Sequence, residues 1–155
     1  MSGELHSPCL DQVSIFDNVA MKRLRKESRF DPEHLRALRN GLFKKFEADD
    51  VALGRFPERD RVGCHSLELF RRCDSQVDGA SKLLLKTEAG MLIESVILRI
   101  ATGRSTLCVS SQVGCAAACD FCATGKMGIA QNLSSAEILD QVVQTGQLLA
   151  AEGRR

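Results

Sequence analysis

The chain changes its hydrophobic period along its length. In DPEHLRALRNGLFKKF, Asp31 to Phe46, apolar residues recur at Leu35, Leu38, Leu42, Phe43 and Phe46, which is the spacing of one helix face. Asp31 is placed to cap that helix, and Pro32 suits its first position, where the amide needs no intrahelical partner. A shorter helix is predicted from Asp17 to about Lys26. RFPERDRVG, Arg55 to Gly63, reads as a loop broken by Pro57 and Gly63. Beyond it the period shortens. SLELFRR, ASKLLLKT and MLIESVILRI are rich in Leu, Ile and Val and are separated by turn residues at Asp78-Gly79 and Glu88 to Gly90. They predict strands of a small antiparallel sheet, with a hairpin between Leu83–Lys86 and Met91–Leu98.

A further turn near Thr102-Gly103-Arg104 leads into STLCVSS, a strand that carries Cys108. The period then returns to helical. Ser134 and Glu137 form a capping box, each side chain satisfying an amide at the helix start. Ile138, Val142 and Leu149 mark an apolar stripe, with Gly146 as a small member and Gly153 as a C-cap. Strand, cysteine-bearing loop and helix follow in order, as in one βα unit. The loop lies at the C-terminal end of the strand, where parallel α/β folds place their chemistry. The expected architecture is α+β overall. A helical accessory domain covers 1–78, and 79–155 carries short antiparallel strands and then the first βα unit of an α/β domain.

Composition narrows the class. The 155 residues are 44% hydrophobic and 26% charged, values of a folded globular chain rather than a disordered one. No apolar run approaches the roughly 18 residues that cross a bilayer, and MSGELHSPCLDQ lacks the apolar core of a signal peptide. A cytosolic (cytoplasmic) protein with no membrane partner is expected. The net charge is +1, yet residues 22–45 hold nine Lys or Arg against three Asp or Glu. That stretch is either a solvated helix face or a phosphate-contacting surface.

Seven cysteines in a reducing compartment point to metal or redox chemistry rather than a disulfide framework. Cys9, Cys64 and Cys73 are scattered and read as small apolar residues. The other four fall in CVSSQVGCAAACDFCATG, Cys108 to Gly125, where Cys115, Cys119 and Cys122 are spaced C-x3-C-x2-C. A structural zinc site wants four ligands, and electron-transfer iron–sulfur clusters also use four protein thiolates. Three thiols in one loop leave one iron of a cluster open to another molecule. A zinc or RNA-binding module using Cys108 as a fourth ligand is the alternative.

C-x3-C-x2-C on a loop after a strand, with Phe121 before the last cysteine, resembles the signature of the radical S-adenosylmethionine superfamily. The wider segment TLCVSSQVGCAAACDFCATGKMGIAQNLSSAEILDQV closely resembles the dual-specificity ribosomal and transfer RNA adenine-C2 methyltransferases, and the adenine-C8 resistance methyltransferases share much of it. The resemblance runs from about Lys82 to Leu149; residues 1–78 match the accessory domain only loosely. It implies that Cys115, Cys119 and Cys122 ligate a [4Fe-4S] cluster whose open iron chelates S-adenosylmethionine. It implies that Cys108 is the thiol resolving a covalent enzyme–RNA intermediate through a transient disulfide, and that Glu94 accepts a proton. It further implies 23S rRNA and tRNA as substrates, an electron donor such as flavodoxin, a monomeric state and a partial TIM barrel. Gln131 stands where the family often has Arg. Such barrels repeat the βα unit about six times over about 200 residues or more, and this chain holds one unit. The methyl-carrying cysteine and the cofactor's remaining contacts are then expected downstream, and the chain is expected to be a fragment or truncated product, inactive alone.

Overall fold

A computed structural model describes residues 12–100, 103–115, 117, 119–121, 123–126 and 128–154. The chain divides into two compact units between His65 and Ser66, ahead of the expected division at residue 78. The reason is pairing: the strand that begins at Glu68 bonds to the one that begins at Ser81, so residues 66–78 belong to the sheet of the second unit.

The first unit is mainly helical. Strand β1 (Val13–Ser14) leads into α1 (Asn18–Ser28), followed by α2 (Pro32–Asn40), α3 (Asp49–Leu53) and β2 (Val62–Gly63). The Asp17 carboxylate accepts from the Val19 and Ala20 amides at 2.9 Å, and Asp31 accepts from Glu33 at 2.7 Å, the two caps that satisfy otherwise orphaned amides. The α-helix predicted through Phe46 stops at Asn40 and continues as a π-helical turn over Gly41–Lys45. Its apolar stripe is retained: Leu38 and Leu42 are buried with Met21, Leu24, Phe30 and Phe56, and Leu35 and Phe43 pack against them. The loop predicted from Arg55 contains β2, which pairs in parallel with β1. Lys22, Arg23 and Lys26 of the basic stretch are exposed on α1.

The second unit is built on a four-stranded antiparallel sheet in the order β3 (Glu68–Asp74), β4 (Ser81–Lys86), β5 (Leu92–Arg99) and β6 (Ser105–Cys108). Alternation decides its faces. Leu83, Leu85, Ile93 and Ile97 are buried on one face with Leu149 of α5 (Ser135–Ala151), and Ile138 packs against them. The opposite face carries Lys82, Glu94 and Leu98, all exposed. Between β6 and α5 lies a feature that the sequence pattern does not predict, a hairpin of β7 (Gln112–Gly114) and β8 (Ile129–Asn132) enclosing the short helix α4 (Ala123–Lys126).

The capping box at Ser134 and Glu137 forms as expected. The apolar stripe of α5 forms in part: Leu149 is buried and Ile138 packs against the core. Val142 and Leu139 are exposed, while Asp140, Gln141, Gln144 and Thr145 are buried. The buried side of the helix carries, beside Val143 and Leu149, side chains with hydrogen bonds to make. Asp140 Oδ2 accepts from the Ser66 and Leu67 amides at 2.8 Å and from Gln144 Nε2 at 3.0 Å, and Gln144 also donates to the Leu67 carbonyl at 2.9 Å. Buried polar groups are tolerated when they are bonded in this way; Thr145 Oγ1, which finds no partner among the described residues, is the exception. At the other end of α5, Glu152 accepts from Arg72 at 2.7 Å and from Arg99 at 2.9 Å. Burial pushes the Glu152 carboxyl up, but the Arg72 and Arg99 guanidiniums outweigh it and hold the group below the usual carboxylate range. Among the described residues no helix is long and apolar enough to cross a membrane.

Candidate active site

Strand β6 ends at Cys108, which stands opposite Val96 of β5. Glu94 stands two residues from Val96 on the same strand, opposite Leu84 of β4. Residues two apart on a strand share a face, so Glu94 and Cys108 lie on the same open side of the sheet, turned away from the core. They are diagonal neighbours across an antiparallel pair, a relation that sets side chains about 7 Å apart. Both are exposed, and the Cys108 thiol is free. Lys82 Nζ lies 3.2 Å from Glu94 Oε1, with about half of each side chain in solvent. An ion pair this exposed contributes at most about 1 kcal/mol, so it does not lock the carboxylate away from an incoming group.

The cysteine loop is carried at the tip of the β7–β8 hairpin. Val113 and Leu133 anchor the hairpin in the core of the second unit, and the Leu133 amide donates to the Ser111 carbonyl at 3.0 Å. The two strands approach closely at Gly114. Its φ is +78°, and a Cβ there would collide with the carbonyl oxygen of Gly128. Only glycine meets both conditions. The next residue closes the loop: the Cys115 amide donates to the Gly128 carbonyl at 3.0 Å. Cys115 and Cys119 are half-buried free thiols, and Phe121 is 93% exposed. Cys122 lies outside the described residues, as does Cys9.

This donor set fits the cluster that the sequence implies. Two of its thiols sit on one loop tied at its base, unpaired with each other and partly shielded from water, and soft thiolates suit iron–sulfur clusters. Cys108 is separate from them. Among the described residues, which include Cys108, Cys115 and Cys119, no three Cys, His, Asp or Glu side chains come together as a metal-binding group. Cys108 belongs to the sheet and the other two to the hairpin loop.

No family profile matches the chain. Among curated proteins it is 63% identical over 143 residues to a probable RNA methyltransferase of Rhodopirellula baltica, covering 92% of this chain and 38% of that protein. It is 35% identical over 144 residues to a probable dual-specificity RNA methyltransferase RlmN of Aquifex aeolicus, covering 87% of this chain and 40% of the relative. Among solved structures it resembles a radical SAM methyltransferase from Sphaerobacter thermophilus, with a TM-score of 0.75 and 29% identity over 94% of this chain and 43% of that one. Over nearly all of its length the chain is homologous to part of proteins named as RNA methyltransferases and has the fold of part of a radical SAM methyltransferase. It spans about two fifths of the length of the relatives it matches.

Within this segment, the sequence-predicted residues that are described fall on two elements. Glu94 and Cys108 share the open sheet face, and Cys115 and Cys119 share the hairpin loop. Gln131 pairs with Val113 in the exposed strand β8. The buried polar residues of α5, of which Asp140, Gln141 and Gln144 bond to backbone groups at Ser66, Leu67 and Ser110, escape a reading in which apolar spacing is the sign of burial. A signal is present all the same: Asp140, Gln141, Gln144 and Thr145 stand at i, i+1, i+4 and i+5, one continuous helix face.

Proposed function

We propose that this segment carries the cluster loop and the acid–base and thiol groups of an RNA methyltransferase acting on carbon 2 of adenine in 23S rRNA and in tRNA. When bound, a [4Fe-4S] cluster and S-adenosylmethionine supply the methyl group and a 5′-deoxyadenosyl radical. Cys115, Cys119 and Cys122 would be the residues that hold the cluster, and three thiolates would leave one iron open to S-adenosylmethionine. Glu94 would take the proton that leaves the adenine ring once the methylene radical borne on a second cysteine sulfur has added at carbon 2, the adduct's unpaired electron passing back to the cluster. The thiolate of Cys108 then attacks that sulfur. A disulfide forms, the carbon–sulfur bond breaks, and its electron pair stays with the product carbon, which a proton completes as a methyl group.

The observation that carries this reading is the placement of an exposed carboxylate and an exposed thiol on one sheet face, directly before a hairpin that presents the cysteine loop. Relatives named as dual-specificity RNA methyltransferases support RNA as the substrate class. The exposed Lys22, Arg23 and Lys26 of α1 supply a surface for RNA phosphates. A cytoplasmic location, a flavodoxin-type electron donor and a monomeric state complete the proposal.

The test is a chimera in which residues 12–154 replace the matching segment of the Rhodopirellula baltica relative. Incubated with labelled S-adenosylmethionine, a reductant and 23S rRNA fragments or tRNA, it is expected to yield 2-methyladenosine on nucleoside digestion. Label at carbon 8 would reassign the regiochemistry, and no transfer with a fully loaded cluster would reject the function.

A further inference from the structure

The chain just beyond Cys108 is held by one side chain. Gln141, at the middle of α5, is fully buried. Its Oε1 accepts from the Ser110 amide at 2.8 Å and from Ser95 Oγ at 2.7 Å. Its Nε2 donates to the Ser110 carbonyl at 2.8 Å and to the Glu137 carbonyl at 3.2 Å. Gln141 therefore satisfies both backbone groups of Ser110, as a neighbouring strand would. Ser110 Oγ in turn donates to the Glu94 carbonyl at 2.7 Å.

One buried amide thus joins three elements: β5 at Ser95, the chain two residues after Cys108, and α5 itself. An apolar side chain of the same size would fill this space without the desolvation cost of an amide. What the amide adds is direction, because each of its bonds fixes a partner's position and a fully satisfied buried network admits one arrangement. The Ser110 hydroxyl carries that constraint to the backbone of Glu94.

We propose that Gln141 is a positioning residue for the Cys108 thiol: it fixes where the chain leaves β6, and so holds Cys108 on the face of the sheet that bears Glu94. Its use in methyl transfer rests on the reading of Cys108 as the resolving thiol. The positioning itself does not.

The sheet contains an internal reference. Cys73 of β3 is a free, exposed thiol in the same cross-strand row as Cys108, through Lys82 and Val96, and has no link to Gln141. In the 155-residue protein, iodoacetamide labelling resolved by mass spectrometry gives the ratio of Cys108 to Cys73 reaction rates across pH. Gln141→Met is expected to change that ratio by about threefold or more and to move the pH profile of Cys108 alone, since thiol reactivity follows local environment and access. The Ser110 amide should exchange with solvent about tenfold faster, the effect of losing about one hydrogen bond. Gln141→Asn keeps the polarity but is one methylene too short to reach Ser110, and it should give the same shift if the Met variant does not fold. An unchanged ratio and pH profile in a folded variant, whatever its melting temperature, would reduce Gln141 to packing and overturn the proposal. The chemical reading fails separately: if Cys108→Ala in the chimera released product at the full rate, Cys108 would lose its role while the labelling result stood.

Discussion

Gly114→Ala is the substitution to which the cysteine loop should be most sensitive. Two costs add at this position. The residue has φ +78°, and left-handed backbone costs an L-residue about 1–2 kcal/mol. A Cβ would also run into the Gly128 carbonyl oxygen, so the strands must part and the Cys115 amide bond to that same oxygen, 3.0 Å long, is broken for about 1 kcal/mol more. Together these give about 2–3 kcal/mol against closure of the loop, a large amount for a two-stranded hairpin, which is marginal alone. Gly128→Ala is the control. Its φ is +69°, but no atom of the described residues lies within 4 Å of the added Cβ, so it meets the backbone cost alone. The assay is iron bound per chain after anaerobic reconstitution with iron and sulfide, with far-UV circular dichroism to confirm that the fold persists. Gly114→Ala should lose most of its iron and Gly128→Ala should keep most of it. Equal loading of the two variants would refute the claim that close strand approach shapes the ligand loop.

The packing and the charges set three other outcomes. Asp140→Ala orphans the Ser66 and Leu67 amides, which donate to its carboxylate at 2.8 Å, and should lose about 3–4 kcal/mol. In urea that is a fall of about 2 M in midpoint at a slope of about 2 kcal/mol/M, while Asp140→Asn, whose oxygen can still accept, should lose less. The transition is followed by circular dichroism, since the chain has no Trp or Tyr. Asp74 is held below the usual carboxylate range by the Ser81 hydroxyl and then by Arg72, and Glu152 by Arg72 and Arg99 against the effect of burial. Depressed carboxylates contribute stability above their unfolded pKa of about 4 and lose it as pH falls through the folded value. The stability difference between the native protein and Glu152→Gln should therefore be full at pH 7 and shrink below about pH 4; a pH-independent difference would contradict the pairing. Replacing Lys22, Arg23 and Lys26 together with Ala should weaken RNA binding and lower the salt slope by about 2–3, one unit or slightly less for each phosphate left without its cation; an unchanged slope would leave α1 as a solvated face.

The parts of the fold written in local chemistry were legible in the sequence. Asp17, Asp31 and Ser134 cap helices because their short acceptors meet orphaned amides, and the Leu83–Lys86 and Met91–Leu98 pattern produces the expected hairpin. The elements that escaped depend on distant partners. Strands β7 and β8 are three and four residues long, too short for a periodic signal, and they exist because Gly114 lets their backbones meet. Polar residues share the buried side of α5 with Val143 and Leu149 because backbone groups at Ser66, Leu67 and Ser110 lie beneath it, partners that the spacing of apolar residues does not reveal. The cysteine spacing named the candidate chemistry, but the shared face of Glu94 and Cys108 emerged only with the strand register.

The division of labour among four cysteines is the central claim, and iron content with Mössbauer spectroscopy of single variants tests it most directly. After anaerobic reconstitution, Cys115→Ala, Cys119→Ala and Cys122→Ala should each fail to hold a [4Fe-4S] cluster. Cys108→Ala should load as fully as the unaltered protein, with one iron still distinct and responsive to S-adenosylmethionine. Loss of the cluster in Cys108→Ala, or one tightly held zinc in place of iron in the unaltered protein, would contradict it.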